Sequence, residues 1–169
     1  LLSQSTVIPG YCNLVHARLD DPQYWILNLY LAPSLRASLL TPLLSWLTHH
    51  QPPAFVVPIL AGDFNYHLPQ PRTPAEEELA RRVADLFDVL HLSWLPHPDH
   101  TRRGAPHSAT LDGIAGPPAM SITSRLSPTW LTGLSDHAAL SLPPVKANGS
   151  SVPPCAPPAV QALPGSDGR

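Results

Sequence analysis

Apolar and polar positions divide this chain into short strands and two helical stripes. YCNLVHARL (residues 11–19) alternates, and QYWILNLYLA (residues 23–32) is aromatic and branched, so each reads as a strand. Asp20, Asp21 and Pro22 lie between them as a turn, which predicts an antiparallel hairpin with Asn28 and Tyr30 near its far end. Residues 34–50 carry apolar side chains at 39, 40, 43, 44 and 47, the spacing of a helix. Pro42 interrupts that stripe: either the helix kinks there, or it starts at Thr41 with Pro42 in its first turn. AFVVPIL (residues 54–60) is dry enough for a buried central strand, although Pro58 removes a ladder donor.

The strongest helix spans residues 73–92, with Thr73 as cap, Pro74 in the first turn and Glu76 closing a capping box. Leu79, Val83, Leu86, Phe87 and Leu90 form its expected core face, with Arg81 and Arg82 on the solvated side. Residues 108–115, 119–123 and 136–142 read as three short strands. Beyond Pro143 the text is proline, alanine, serine and glycine. That divides the chain into a folded domain, 1–142, and a disordered tail or linker, 143–169.

Composition narrows the class. A chain of 169 residues with 43% apolar content can build one real core. The net charge of −2 supplies no global basic field for nucleic acid, so such binding needs a local patch or a metal ion. Cys12 and Cys155 are too isolated for a disulfide framework or a CxxC metal site. No window approaches an uninterrupted membrane-spanning length, and the opening LLSQSTVIPG lacks the pattern of a signal peptide. A chain that opens on Leu1 and runs at once into strand-like text reads as a fragment. Asn148-Gly149-Ser150 fits a glycosylation acceptor, a pattern common by chance.

Three polar clusters sit at expected strand ends: GDFN at 62–65, LDG at 111–113 and SDH at 135–137. Strand ends of an α/β sheet gather at one edge, so Asp63, Asn65, Asp112, Asp136 and His137 can converge there. That group suits phosphate ester hydrolysis. A phosphodiester repels hydroxide, and a divalent cation offsets charge on its oxygens. Magnesium takes carboxylate oxygens and keeps several waters, so few protein ligands suffice.

Together, NLYLAP at 28–33, GDFN, a threonine followed by TLD, and SDH in that order resemble the endonuclease/exonuclease/phosphatase family over about residues 11–142. This family includes deoxyribonuclease I-like and exonuclease III-like enzymes and retrotransposon endonuclease domains. The resemblance implies an α/β (α+β) fold, a four-layer sandwich of two packed mixed β-sheets with outer helices, incomplete at the N-terminus. It also implies Mg2+ (or Mn2+) as cofactor and nucleic acid, DNA above all, as partner. By the same resemblance, Asp63 positions or deprotonates the attacking water, and Asn65 orients Asp63. His137 stabilises the transition state with Asp112 as its partner, and Tyr30 is the active-site tyrosine. Asp136 and Asp63 are the metal-proximal acids, and Thr101 is a supporting residue.

The chain departs from the family pattern in lacking the opening strands and their metal-binding glutamate. Its only glutamates, Glu76, Glu77 and Glu78, lie on the helix after GDFN. Gly113 stands where the family usually has an aromatic. Absent strands would leave a sheet edge and apolar faces uncovered.

Plainer readings stand beside these. Asp63 and Asn65 also suit a turn. Asp112 could pair with Arg102 or Arg103, the same two arginines that could meet a phosphate backbone. Tyr30 and Trp25 also suit a core, and His49, His50, His97, His100 and His107 lack metal-ligand spacing. The functional alternatives are a catalytically dead relic or packing module, or a phosphatase for small phosphate esters such as phosphoinositides.

Overall fold

The computed structural model describes residues 1–18, 22–68, 70–96, 100–103, 109–123, 126–130 and 135–141. Its first sheet has six strands. They are β1 (Ser3–Ile8), β2 (Cys12–Arg18), β3 (Gln23–Tyr30), β4 (Val56–Asp63), β5 (Ser93–Trp94) and β6 (Asp112–Gly116). Their spatial order is β1-β2-β3-β4-β6-β5, and only the β3–β4 pairing is parallel. The predicted hairpin is present, with Cys12 opposite Leu29 and Arg18 opposite Gln23. A second, two-stranded antiparallel sheet pairs β7 (Ser127–Trp130) with β8 (Ala138–Ser141). This is the mixed-sheet α/β architecture expected from the sequence.

Helices α1 (Arg36–Leu47) and α2 (Pro74–Leu90) enclose the larger core. Leu40, Leu43 and Leu47 of α1 and Leu79, Val83, Leu86 and Leu90 of α2 are buried with Trp25, Leu27, Leu29 and Leu60 of the sheet. Phe87 packs at the margin of this core. A smaller cluster, Ile59, Leu95, Ile114 and Leu126, fills with Leu140 and Met120 the space toward β7 and β8.

Thr73 caps α2 by accepting from the Glu76 N–H at 3.2 Å. The reciprocal half of the capping box lands one residue further back, because the Glu76 carboxylate accepts from the Arg72 N–H at 2.7 Å. Arg81 and Arg82 both pair with Glu78 on the solvated side.

One expectation is corrected, and one open alternative is decided. Residues 119–123 are not a strand but part of a short helix, α3 (Pro118–Thr123). Pro118 pre-sets a first helical turn, and the Met120 N–H donates to Pro117 O, which outweighs the branched Ile and Thr. Helix α1 starts before Thr41 and runs past Pro42, which lacks the N–H that would bond to Ser38. Pro58 lies in β4 opposite Trp25 of β3, before pairing with β6 begins at Leu60, so on the β6 side its missing N–H forfeits no described ladder bond. The tail 143–169, His97, His107 and Ser108 lie outside the described residues. Among the described residues no helix is long and apolar enough to cross a membrane.

Candidate active site

The site forms where β3, β4 and β6 end together. Tyr30 closes β3 beside Asp63, the last residue of β4, and Asp63 faces Asp112, the first residue of β6. The local chain explains how GDFN presents its polar groups. Phe64 and Tyr66 are buried and meet edge to face, and Phe64 packs edge-on against Trp94. These rings anchor the turn and leave Asp63 and Asn65 outside the core. Asn65 adopts a left-handed backbone, φ 51°, which asparagine tolerates better than most residues. In that conformation its backbone N–H donates to Asp63 Oδ1 at 2.9 Å and its side-chain amide donates to Oδ2 at 3.1 Å. Both oxygens of Asp63 are thereby oriented, and each retains a lone pair for a further partner.

Gly62 has a structural task that its place in a turn-like motif conceals. It lies within β4 opposite Leu29, at φ 149°, and a Cβ there would come within 1.8 Å of the Leu29 carbonyl oxygen.

Asp112 and His137 meet from segments 25 residues apart. His137 Nδ1 lies 2.8 Å from Asp112 Oδ2, with the ring N–H donating to the carboxylate. Thr101 makes this meeting possible. It is fully buried, and its Oγ1 accepts from the N–H groups of Leu111 at 2.8 Å and Asp112 at 2.9 Å. Its backbone N–H donates to Ala109 O, and its carbonyl accepts from the Ala138 N–H. Thr101 therefore ties the start of β6 to the start of β8. Thr101→Val should lower stability by about 2–4 kcal/mol, since two buried N–H groups lose their acceptor. A denaturant midpoint matching wild type would contradict this role.

Asp136 stands one step outside this group. Its carboxylate is 56% exposed and accepts from Arg102 Nε at 3.0 Å, while its other oxygen is 4.0 Å from His137 Nε2. Of the two pairings open to Asp112, the structure has His137, and the arginine goes to Asp136 instead. Arg103 lies over the Trp130 ring, 4.0 Å from its centroid. Tyr30 is 44% exposed and its ring is parallel to that of Tyr11 at 6.3 Å between centroids. His50 stacks on Trp46, and Trp25 belongs to the core, so both serve packing. One contact had no sequence signal: His67 Nδ1 donates to Glu76 at 2.9 Å, tying the chain after GDFN to the start of α2.

Electrostatics give the site its character. Burial pushes the Asp63 carboxyl above the usual carboxylate range, and the charge of Asp112 adds to this. The Asn65 N–H, His137 and Arg102 act in the opposite sense. Two carboxylates directly opposite in a ladder repel each other, an arrangement that suits a cation. Asp63, Asp112 and His137 each offer a donor atom within 4.8 Å of the others, and the two carboxylates among them fit a divalent ion retaining several waters. The Asp136 carboxyl is held below its usual range by the Arg102 hydrogen bond.

A pH test follows for the metal-free protein. An ionised Asp63 costs the folded state stability. That cost is absent below the unfolded carboxyl pKa and appears as pH rises through the higher folded value. The stability of Asp63→Asn relative to wild type should therefore improve between about pH 3 and pH 7. Melting curves in EDTA whose difference does not change with pH would exclude this.

No curated protein matches the sequence significantly. Solved structures do match in fold. A 3′ phosphatase, NExo, from Neisseria, bound to a product DNA hairpin, aligns with TM-score 0.53 at 16% identity over 84% of this chain. The endonuclease domain of TRAS1, a telomere-specific non-LTR retrotransposon, aligns with TM-score 0.59 at 15% identity over 82% of this chain. The chain spans 70% of the former and 64% of the latter. Such identities speak for the fold alone. The model of the endonuclease-reverse transcriptase family matches residues 24–141, which include all the site residues described above. The chain thus has the fold of the endonuclease/exonuclease/phosphatase group and belongs to the endonuclease-reverse transcriptase family.

Proposed function

We propose that this chain is a metal-dependent phosphodiesterase domain that acts on nucleic acid, as an endonuclease of the retroelement type. The observation that carries the reading is the joined arrangement of Asp63–Asn65 and Asp112–His137 at one sheet edge. Family membership and the nucleic-acid enzymes among its structural neighbours support it.

Asp63 and Asp112 would hold a Mg2+ or Mn2+ ion, with Asp136 close by. Such an ion supplies charge neutralisation at the phosphate oxygens. The chain's own groups do the rest. Asp63, fixed through both oxygens by Asn65, orients a water and accepts its proton. Asp112 holds the His137 ring through Nδ1, which leaves Nε2 to donate to a phosphoryl oxygen. Tyr30, exposed beside Asp63, places a hydroxyl at the rim.

One observation favours a second reading, an inactive relic. Glu76 is bonded to His67 and Arg72, and Glu78 to Arg81 and Arg82, so these two glutamates are engaged away from the site. Nicking of supercoiled plasmid by the 169-residue chain separates the two. The enzyme reading expects nicking in magnesium or manganese and none in EDTA. Intact plasmid in both metals would favour the relic.

A further inference from the structure

We propose that Arg102 is a phosphate-anchoring side chain of this site, exchanging its Asp136 partner for a phosphodiester of the nucleic acid. The inference rests on the nucleic-acid reading above and assigns that substrate an anchor.

Three features of Arg102 carry it. Its backbone is fixed on two sides, bridged to Ala109 and to His137. Residues bridged in this way project to the same side, so the guanidinium shares the side of the His137 ring. Its side chain, 47% exposed, meets Asp136 through Nε alone among the described contacts. A guanidinium has five donors in a fork that matches phosphate oxygens, so the terminal amino groups stay available for a bidentate contact.

The Asp136 contact is also weak enough to exchange. An ion pair with 47% and 56% exposed partners contributes at most a few-fold to an equilibrium constant. A phosphodiester offers the same charge with better geometry. Without substrate, Asp136 keeps the arginine near the site. When a phosphate takes the arginine, the Asp136 carboxylate is released beside His137, where it can face a cation. Metal and substrate should therefore favour each other's binding.

The neighbouring arginine provides a contrast. Arg103 has the same charge in the same segment, but it lies on Trp130, and its backbone N–H donates to Asp136 O. It braces β7 against the segment that carries the site.

The test is binding of a fluorescent DNA oligonucleotide, followed by anisotropy in EDTA over a range of KCl, so that nothing turns over. Arg102→Gln should weaken binding at low salt about tenfold and make the slope of log K against log salt shallower by about 0.7–0.9. Arg102→Lys should retain the slope, and Asp136→Asn should bind more tightly than wild type. Arg103→Gln should leave the slope close to wild type. Wild-type affinity and slope in Arg102→Gln would overturn the assignment. So would an equal loss in Arg103→Gln, which would reduce the effect to local charge. A wild-type chain that binds no oligonucleotide would instead sink the nucleic-acid reading, and the anchor with it. Circular dichroism melts of each variant separate lost binding from lost fold.

Discussion

His137→Ala should lower metal-dependent turnover by at least about a hundredfold while leaving the fold intact. Positioned proton donors contribute about 10²–10⁴-fold to rate, which sets the scale. The ring is fixed by one strong contact, Nδ1 to Asp112 Oδ2 at 2.8 Å, and is partly exposed, so its removal creates no large cavity. The loss should appear in kcat rather than KM, because the imidazole acts on charge that develops in the transition state. Asp112→Asn should also lower turnover, since it loosens the hold on the His137 ring and removes one of the two carboxylates proposed to hold the ion. Normal turnover in His137→Ala would remove this histidine from the mechanism.

Gly62→Ala should damage the fold more than any conservative change elsewhere in the site. The added Cβ would meet the Leu29 carbonyl oxygen at 1.8 Å, and backbone cannot swing aside as a flexible side chain can. The φ of 149° adds strain for any residue with a Cβ. Strain and overpacking of this kind each cost about 1–3 kcal/mol. Together they remove a large part of the roughly 5–15 kcal/mol that holds a domain folded. β3 and β4 would have to separate where Tyr30 and Asp63 end their strands, so site geometry fails with stability. A thermal melt within a degree or two of wild type would show that the close approach of these strands is relaxed in solution.

What the sequence disclosed depended on the range of the interaction. Helix α2 was readable because Thr73, Pro74, Glu76 and its stripe of apolar residues all act within a few turns. The β2–β3 hairpin was readable for the same reason, through alternation around Asp20 to Pro22. Residues 119–123 misled because branched side chains suggest a strand, while the deciding signal was the preceding proline. The polar clusters stood out because each is compact in sequence. Their convergence at one edge followed from the strand pattern, whereas the Asp112–His137 pairing came from family resemblance. The Arg102–Asp136 pair, 34 residues apart, had no sequence signal. The task of Gly62 was not legible, since a steric limit set by Leu29 on another strand has no trace in local text.

Among the described residues the larger sheet ends on β1, whose six residues, SQSTVI, contain no charge and no proline. Natural edges usually carry lysine, proline or a strong bulge to discourage further pairing. Here the irregularity between Thr6 and Ile8 is the described interruption. The outer edge of β1 can therefore accept a further strand, whether from another segment of a longer chain or from another molecule. Colloidal behaviour, rather than catalysis, will respond to Ser5→Lys.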